Sequence, residues 1–167
     1  GKPSILLFAR PSDAHKGADV VEQLLVPETK DYPFVVVIGN PRGTEQYCAD
    51  LQAKAAETGH ELTFRFGLTD VEKFQELKRA FALVFPSYFE GYGYPPIEAL
   101  ATNTHCIAYD LPVIRENCGD LVKYVAPGDV VALREKLIDV LNDVKLQDVA
   151  NSDSVTNLSD IDVRASA

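Results

Sequence analysis

The amino-acid sequence predicts an α/β domain with a mainly parallel sheet of about six strands, in a Rossmann-like three-layer α/β/α arrangement. Short apolar runs alternate along the chain with longer segments of helical period, which is the pattern of repeated βαβ units. The runs are almost continuously apolar, as expected for parallel strands buried on both faces. A length of 167 residues fits one compact domain.

In the N-terminal half, the predicted strands are residues 5–9, 34–38 and 62–66. The predicted helices are residues 17–25, 44–58 and 71–80, where apolar residues recur at helical spacing. Gly59 is the expected C-cap of the second helix, and Thr69 or Asp70 the expected N-cap of the third. Capping signals and periodicity therefore agree on these boundaries.

In the C-terminal half, the predicted strands are residues 83–85, 106–108 and 121–125. The predicted helices are residues 96–101 and 130–144, the second with Asp129 as its N-cap. Residues 1–146 are therefore expected to form one domain. Residues 147–167, rich in Asn, Ser, Asp and Thr, are expected to form a polar tail or linker.

The start of the chain and its cysteines indicate whether it is part of a longer protein and in which compartment it lies. It begins at Gly1 and contains no methionine, so we expect an excised or processed piece of a longer protein. The first apolar run is too short for a signal peptide, and the three cysteines show no CxxC spacing. Reduced thiols and a cytoplasmic location are therefore predicted, with Cys106 in the core.

Charge and hydropathy exclude two classes of partner. The formal net charge is −9, whereas nucleic-acid binders normally carry a basic patch or stripe. No apolar run approaches the length of a membrane span. Neither nucleic acid nor a bilayer-spanning role is expected, and any phosphate must be bound locally.

The loop after the first predicted strand carries two cations. Arg10 leaves the end of the strand, and Lys16 with Gly17 opens the next helix. Ligands of open parallel sheets bind at the carboxyl ends of the strands, and a helix N-terminus beside two cations suits a diphosphate. On spacing alone, solvated loop charges are the favoured interpretation, with a diphosphate site as the alternative.

The loop after the fourth predicted strand holds two glutamates, Glu90 and Glu98, around glycines and aromatic residues. Both carboxylates can face one cleft if Glu98 lies in the first turn of the next helix, and carboxylates accept hydrogen bonds from sugar hydroxyls. The alternative is a turn followed by a helix-dipole glutamate. Two of the aromatic residues at least are expected to pack rather than stack on a ligand; the four are Tyr88, Phe89, Tyr92 and Tyr94.

Other motifs carry less weight. His15, His60 and His105 are scattered without ligand spacing, so no metal or other cofactor is expected. The sequence from Gly91 imitates a dinucleotide-binding fingerprint, but Pro96 takes the place of its third glycine. An Asp-Ile-Asp sequence at residues 160–162 imitates an acidic metal-binding pair. It lies in the polar tail with no strand before it, so it is not taken as a site.

Taken together, these motifs resemble the retaining glycosyltransferases of the GT-B fold, in particular family 4 (group 1). Glu90 to Glu98 is similar to the family's E-x7-E motif. The resemblance spans residues 5–143 in the family's order and spacing. It also includes Arg10, Lys16-Gly17, Val37-Ile38-Gly39, Phe66-Gly67-Leu68, Pro112-Val113-Ile114-Arg115-Glu116 and Pro127-Gly128-Asp129.

The resemblance implies a C-terminal donor-binding domain that transfers a hexose from a UDP-sugar or GDP-sugar to an acceptor hydroxyl. Arg10 and Lys16 would bind the diphosphate, so that no metal is needed. Glu98 would bind the ribose hydroxyls, and Gly67 and Leu68 would lie against the base.

For the transferred sugar, the resemblance implies Glu90 as the catalytic residue. It would act with the backbone of Gly91, Tyr92, Gly93 and Tyr94.

Two departures from the family pattern stand out. Ala9 replaces the usual glycine before the arginine, which would narrow the phosphate approach, and Asn103 replaces the glycine of a Gly-x-Pro turn. The family's N-terminal domain, which would bind an acceptor sugar, lipid or protein and touch a membrane peripherally, is missing. This chain alone is therefore expected to be inactive. A non-catalytic nucleotide-sugar-binding module and a GT-B-like sugar-nucleotide epimerase stay open as alternatives.

Overall fold

The fold is described from a computed structural model, which defines residues 2–11, 18–88, 91 and 93–143. The calls on Gly1, Lys16, Gly17, Phe89, Glu90, Tyr92 and the 147–167 tail lie outside these residues.

Six parallel strands form a single sheet in the described part of the chain. They are β1 (Ser4–Ala9), β2 (Phe34–Ile38), β3 (Leu62–Phe66), β4 (Ala80–Phe85), β5 (His105–Tyr109) and β6 (Lys123–Val125). Their order in the sheet is β3-β2-β1-β4-β5-β6, and every pairing is parallel. This is the doubly wound order of Rossmann-like domains, and it confirms the predicted fold class.

Five α-helices flank the sheet in the described residues. They are α1 (Glu45–Thr58), α2 (Asp70–Arg79), α3 (Tyr94–Ala101), α4 (Pro112–Cys118) and α5 (residues 130–143). Shorter 3₁₀ helices span Ala18–Leu24, Pro27–Thr29 and Gly119–Leu121.

The core divides into two apolar layers, one on each face of the sheet. One layer packs the 3₁₀ helix Ala18–Leu24, α1 and α5 against inward-facing strand residues such as Ile5 and Phe34. The other packs α2, α3 and α4 against the opposite face, with Leu77, Ala99 and Ile114 as helix contacts. Because successive strand residues point to opposite faces, the near-continuous apolar strands supply both layers and give the three-layer architecture.

The predicted caps are found where the sequence places them. Gly59 adopts the left-handed conformation with φ 76° at the end of α1. Thr69 Oγ1 accepts a hydrogen bond from the Glu72 N–H at 3.2 Å at the start of α2, and Asp129 Oδ1 accepts one from the Ala132 N–H at 3.0 Å. Each cap satisfies a backbone group that has no partner within its own helix.

Several predicted boundaries were wrong. Strand β4 begins at Ala80 rather than at residue 83, and Ala80 does not belong to the preceding helix, because it pairs with Ser4 of β1. Strand β6 begins at Lys123 rather than at residue 121, because Gly119–Leu121 form a 3₁₀ turn. The segment predicted as helix 17–25 is a 3₁₀ helix over Ala18–Leu24, followed by the turn at Pro27 that prevents its extension.

Helix α4 was not predicted at all. Its seven residues make two turns at most, which is too short for a periodic signal. It is held to the sheet by Ile114 and Cys118, both buried.

Two further features agree with sequence expectations. Cys106 is buried in the core as predicted, and burial raises the pKa of its thiol far above the usual range. Asn103 has a positive φ of 56°, a conformation that asparagine adopts more readily than most residues. Asn103 therefore forms a turn of the kind for which glycine is the commoner residue.

No helix in the part of the chain that the structure describes is both long enough and apolar enough to cross a membrane.

Candidate functional site

The strand order places a crevice between β1 and β4. These two strands are neighbours, but the chain continues from β1 toward β2 on one side and from β4 toward β5 on the other. Connections that leave in opposite directions open a gap at the carboxyl ends of the two strands, where open α/β sheets bind ligands. Both loops singled out in the sequence start there.

A cleft of about 690 Å³ lies at this position, within the size range of small-molecule sites. Its lining combines strand ends, loop glycines and three charged side chains: Phe8, Ala9, Arg10, Val37, Gly39, Gly67, Leu68, Lys73, Phe85, Gly91, Gly93, Tyr94, Pro95 and Glu98.

Every predicted site residue that the structure describes lines this cleft. They are Arg10, Gly67, Leu68, Gly91, Gly93, Tyr94 and Glu98. The remaining three, Lys16, Glu90 and Tyr92, lie outside the described residues. Residues from three separate chain segments are therefore brought to one cleft, while their individual roles stay predictions.

The β1 side of the cleft carries a cation on a rigid base. Arg10 directly follows Ala9, the last residue of β1. Ala9 is buried with 3% exposure, whereas Arg10 is exposed. The guanidinium is thus attached at the mouth of the sheet, where it can meet an anion without burying its own charge.

The β4 side is formed by the loop that leads into α3. Gly93 precedes the helix in the left-handed conformation, with φ 81°. A Cβ atom at Gly93 would lie 3.2 Å from Ile114 Cγ1, so a side chain there would meet both backbone strain and a buried neighbour. Gly91, by contrast, has nothing within 4 Å of a Cβ position.

Helix α3 starts earlier than predicted, and this moves Glu98. The helix begins at Tyr94 rather than at Pro96. Pro95 and Pro96 occupy its first turn, where backbone N–H groups have no helical partner, so their missing N–H costs nothing. Glu98 is consequently the fifth residue of α3 and lies in its second turn, not its first. It still lines the cleft.

Burial raises the pKa of the Glu98 carboxyl, and the neighbouring charges act in opposite directions. Lys73 lowers that pKa and Asp70 raises it. The carboxylate is thus partly desolvated beside a cation, as expected for a side chain that accepts hydrogen bonds inside a cleft.

The far end of the cleft is made by the turns after β2 and β3. The Gly67 N–H donates to the Ile38 carbonyl at 3.0 Å, and Gly67 has φ 57°. A Cβ at Gly67 would lie 3.7 Å from the Gly39 carbonyl oxygen. The two backbone turns therefore run side by side, with Leu68 next to them in the lining.

Lys73 is the charged residue of the described cleft lining that the sequence did not indicate. It lies in the first turns of α2 and reads in the sequence as one more solvated charge on an amphipathic helix. Its position becomes informative once the sheet places α2 beside α3. The sequence feature that could have identified Lys73 is its positive charge near a helix N-terminus, where a cation opposes the helix dipole.

Two of the predicted aromatic residues are described, and they behave differently. Tyr94 lines the cleft and is 61% exposed. Tyr88 is absent from the described lining; its ring centroid lies 5.0 Å from that of Tyr109, and its hydroxyl lies near Gly128. Tyr88 thus packs against Tyr109 although it is 43% exposed, and ligand contact by Tyr94 stays a prediction.

No cluster of three or more His, Cys, Asp or Glu side chains close enough to hold an ion occurs among the described residues.

The doubly wound sheet with a cleft at its switch point defines a Rossmann-like domain of the kind found in GT-B enzymes. The family model of the glycosyl transferases group 1 matches residues 1–153, and the chain belongs to this family.

A curated relative is the O-antigen chain mannosyltransferase RfbU of Salmonella typhimurium, which is 38% identical over 106 residues. The match covers 59% of this chain and 27% of the relative.

Solved glycosyltransferase structures share the fold. HepE of Anabaena, in complex with UDP and glucose, superposes with a TM-score of 0.67 at 16% identity, over 86% of this chain and 40% of that protein. Sucrose-phosphate synthase of Thermosynechococcus elongatus gives 0.65 at 25% identity, over 84% and 37%. A glycosyltransferase of Rickettsia africae gives 0.66 at 17% identity, over 85% and 38%. The chain therefore spans well under half the length of each of these proteins.

Proposed function

We propose that this chain binds the nucleotide-sugar donor of a retaining, metal-independent family 4 glycosyltransferase that transfers a hexose from UDP-sugar or GDP-sugar to an acceptor hydroxyl. The observation that carries the proposal is the cleft at the β1–β4 switch point, which gathers all the predicted site residues that are described. Such a cleft is where nucleotides bind in doubly wound sheets.

The diphosphate is assigned to the β1 side. Arg10 supplies a fork of N–H donors at the mouth of the sheet, suited to two phosphate oxygens. Lys16 is proposed as the second cation on the strength of the family resemblance. Ala9 limits how closely the backbone approaches the phosphates, because its Cβ stands where the family has none.

The nucleoside is assigned to the opposite end of the cleft. Glu98 accepts hydrogen bonds from the ribose hydroxyls, and the backbone turns at Gly67 and Leu68 lie against the base. A carboxylate can accept from two vicinal hydroxyls at once, which makes the ribose a good partner for Glu98.

The transferred hexose is assigned to the loop before α3. Glu90 and the backbone of Gly91, Tyr92, Gly93 and Tyr94 would hold its hydroxyls, as the family motif implies. Small residues here let backbone N–H groups approach the ligand closely.

The chemistry requires charge stabilisation at the leaving group. Cleaving the anomeric bond leaves negative charge on the departing diphosphate, and cations already positioned there lower the barrier. We propose that Arg10 and Lys16 do this in place of a divalent ion. The acceptor would attack from the face that the diphosphate leaves, with retention of configuration.

The relatives support this assignment in outline. RfbU is named as a mannosyltransferase, which favours hexosyl transfer, and HepE was solved with UDP and glucose, which favours a nucleoside diphosphate sugar. We propose that the acceptor binds to a further domain, so that this chain binds donor without transferring sugar.

Calorimetric titration with UDP and GDP in EDTA tests the proposal. We expect binding of one of the two, weakened at least tenfold in Arg10→Ala and in Lys16→Ala, since charge-assisted hydrogen bonds of this kind contribute about 1.5–3 kcal/mol. Lys123→Ala is the matched control, because Lys123 is exposed at the start of β6, on the opposite edge of the sheet. Binding that requires added Mg²⁺ would contradict metal independence, and no binding of either nucleotide would contradict the proposal as a whole.

A further inference from the structure

Two opposite charges face the proposed nucleoside end of the cleft from different helices. Lys73 is carried by α2 and Glu98 by α3, and both line the cleft. The two helices cover the same face of the sheet, which brings the residues together although 24 residues of sequence separate them.

The position of Lys73 is not explained by helix stability. It lies at the end of the first turn of α2, where its N–H donates to the Thr69 carbonyl at 2.9 Å. A cation near a helix N-terminus faces the positive end of the helix dipole. The acidic residues of the same turn, Asp70 and Glu72, are the types that this position favours.

Lys73 also makes no strong local pair. Its ammonium lies 4.0 Å from Asp70 Oδ1, and the Asp70 side chain is 96% exposed, so the attraction is weak in water. Over the described residues Lys73 forms no ion pair with Glu98. The ammonium and the carboxylate thus border the same cleft without closing on each other.

The two groups nevertheless influence each other. The charge of Lys73 lowers the pKa of the Glu98 carboxyl, which burial raises. Lys73 therefore helps to keep Glu98 ionised, the state in which it accepts hydrogen bonds with both oxygens.

We propose, as an extension of the proposed function, that Lys73 and Glu98 form a donor–acceptor pair that recognises the ribose of a nucleoside diphosphate. A ribose hydroxyl both donates and accepts, whereas an ammonium only donates and a carboxylate only accepts. One partner of each kind satisfies both capacities of the hydroxyl. The pair thus selects ribonucleotides over 2′-deoxyribonucleotides, and Lys73 is a specificity-determining residue.

Titrations with UDP, or GDP if that is the nucleotide bound, and with its 2′-deoxy analogue test the pair. Wild-type protein should prefer the ribonucleotide. Lys73→Met keeps the aliphatic stem and removes the charge, and should weaken ribonucleotide binding about tenfold while affecting the deoxy analogue much less. Lys73→Arg should restore part of the preference.

Two further variants separate this role from a structural one. Lys78→Met is the matched control, because Lys78 is exposed on the same helix and is not part of the described cleft lining; its binding should equal that of wild type. Asp70→Asn removes the competing partner of Lys73, so it should bind the ribonucleotide as well as wild type or more tightly. Thermal melts establish that each variant is folded.

The pH dependence supplies an independent readout. Among the residues that the structure describes, Lys73 and Asp70 on α2 act on the Glu98 carboxyl, and Arg10 after β1 lines the same cleft. Removing Lys73 removes a charge that lowers the Glu98 pKa, so the loss of affinity on acidification should begin at higher pH in Lys73→Met than in wild type.

The inference is overturned if Lys73→Met binds both nucleotides like wild type, or loses both to the same extent. If wild-type binding is sensitive to Arg10→Ala but not to Lys73→Met, the proposed function stands and this inference alone fails. If wild-type protein binds neither UDP nor GDP, both fail.

Discussion

Replacing Gly93 by alanine should destabilise the fold, whereas the same change at Gly91 should not. Both glycines line the cleft, but Gly93 has φ 81° and Gly91 has no positive φ. Comparing the two alanine variants isolates the contribution of the left-handed backbone conformation at Gly93, where the loop after β4 enters α3.

The size of the effect follows from two contributions and one offset. A left-handed conformation costs an L-residue about 1–2 kcal/mol. The new Cβ would lie 3.2 Å from Cγ1 of Ile114, which is fully buried, and overpacking of this kind adds about 1 kcal/mol. Alanine also reduces the conformational entropy of the unfolded chain, which offsets the loss by about 0.5 kcal/mol. The net loss for Gly93→Ala is about 2 kcal/mol.

Urea unfolding followed by circular dichroism measures this loss directly. Gly93→Ala should lower the unfolding free energy by about 2 kcal/mol and the Tm by about 4–8 °C. Gly91→Ala should stay within about 0.5 kcal/mol of wild type, because its Cβ meets nothing within 4 Å. Equal stability of the two variants would refute the role assigned to the Gly93 conformation.

Two further predictions concern buried polar groups away from the cleft. Burial lowers the pKa of His60 below its usual 6.5, so in acid the unfolded chain binds more protons than the folded chain. The stability that is present above pH 6.5 should therefore fall as the pH drops through 6.5 toward the folded pKa. His60→Gln should flatten this pH dependence of the unfolding free energy. The Glu76 side chain is 6% exposed between Arg65 and Arg79, so Glu76→Gln should cost about 1–3 kcal/mol in urea unfolding. Glu72→Gln should cost under about 0.5 kcal/mol, because Glu72 is 43% exposed and 3.9 Å from Arg65. Equal losses of stability in Glu76→Gln and Glu72→Gln would contradict the stabilising role given to the buried Glu76 carboxylate.

Strands were predictable where the local sequence decides them. Strands β2 and β3 were predicted to the residue. The first is a continuous apolar run, the second alternates apolar and polar residues, and both stop at a glycine. The start of β4 was missed because Ala80 follows a helical segment and becomes a strand residue only by pairing with Ser4. Such long-range pairing has no local signature.

Half of the cleft was likewise visible in the sequence. Loop residues such as Arg10 and Gly93 stand out because they follow strands, and parallel strands end at one edge of the sheet. Lys73 did not stand out, since its place in the site depends on how α2 packs beside α3. The position of Glu98 in the second turn of α3 was missed because the helix begins at Tyr94. That start follows from the left-handed conformation of Gly93.

The central claim is that the cleft between β1 and β4 holds a nucleoside diphosphate. Backbone amide shifts of labelled protein titrated with UDP or GDP test this claim most directly. We predict that the largest changes occur at Arg10, Gly67, Leu68, Gly91 and Glu98. Changes concentrated instead in the smaller concavity of about 310 Å³ near Tyr124, Ala132 and Lys136, or absent throughout, would contradict it.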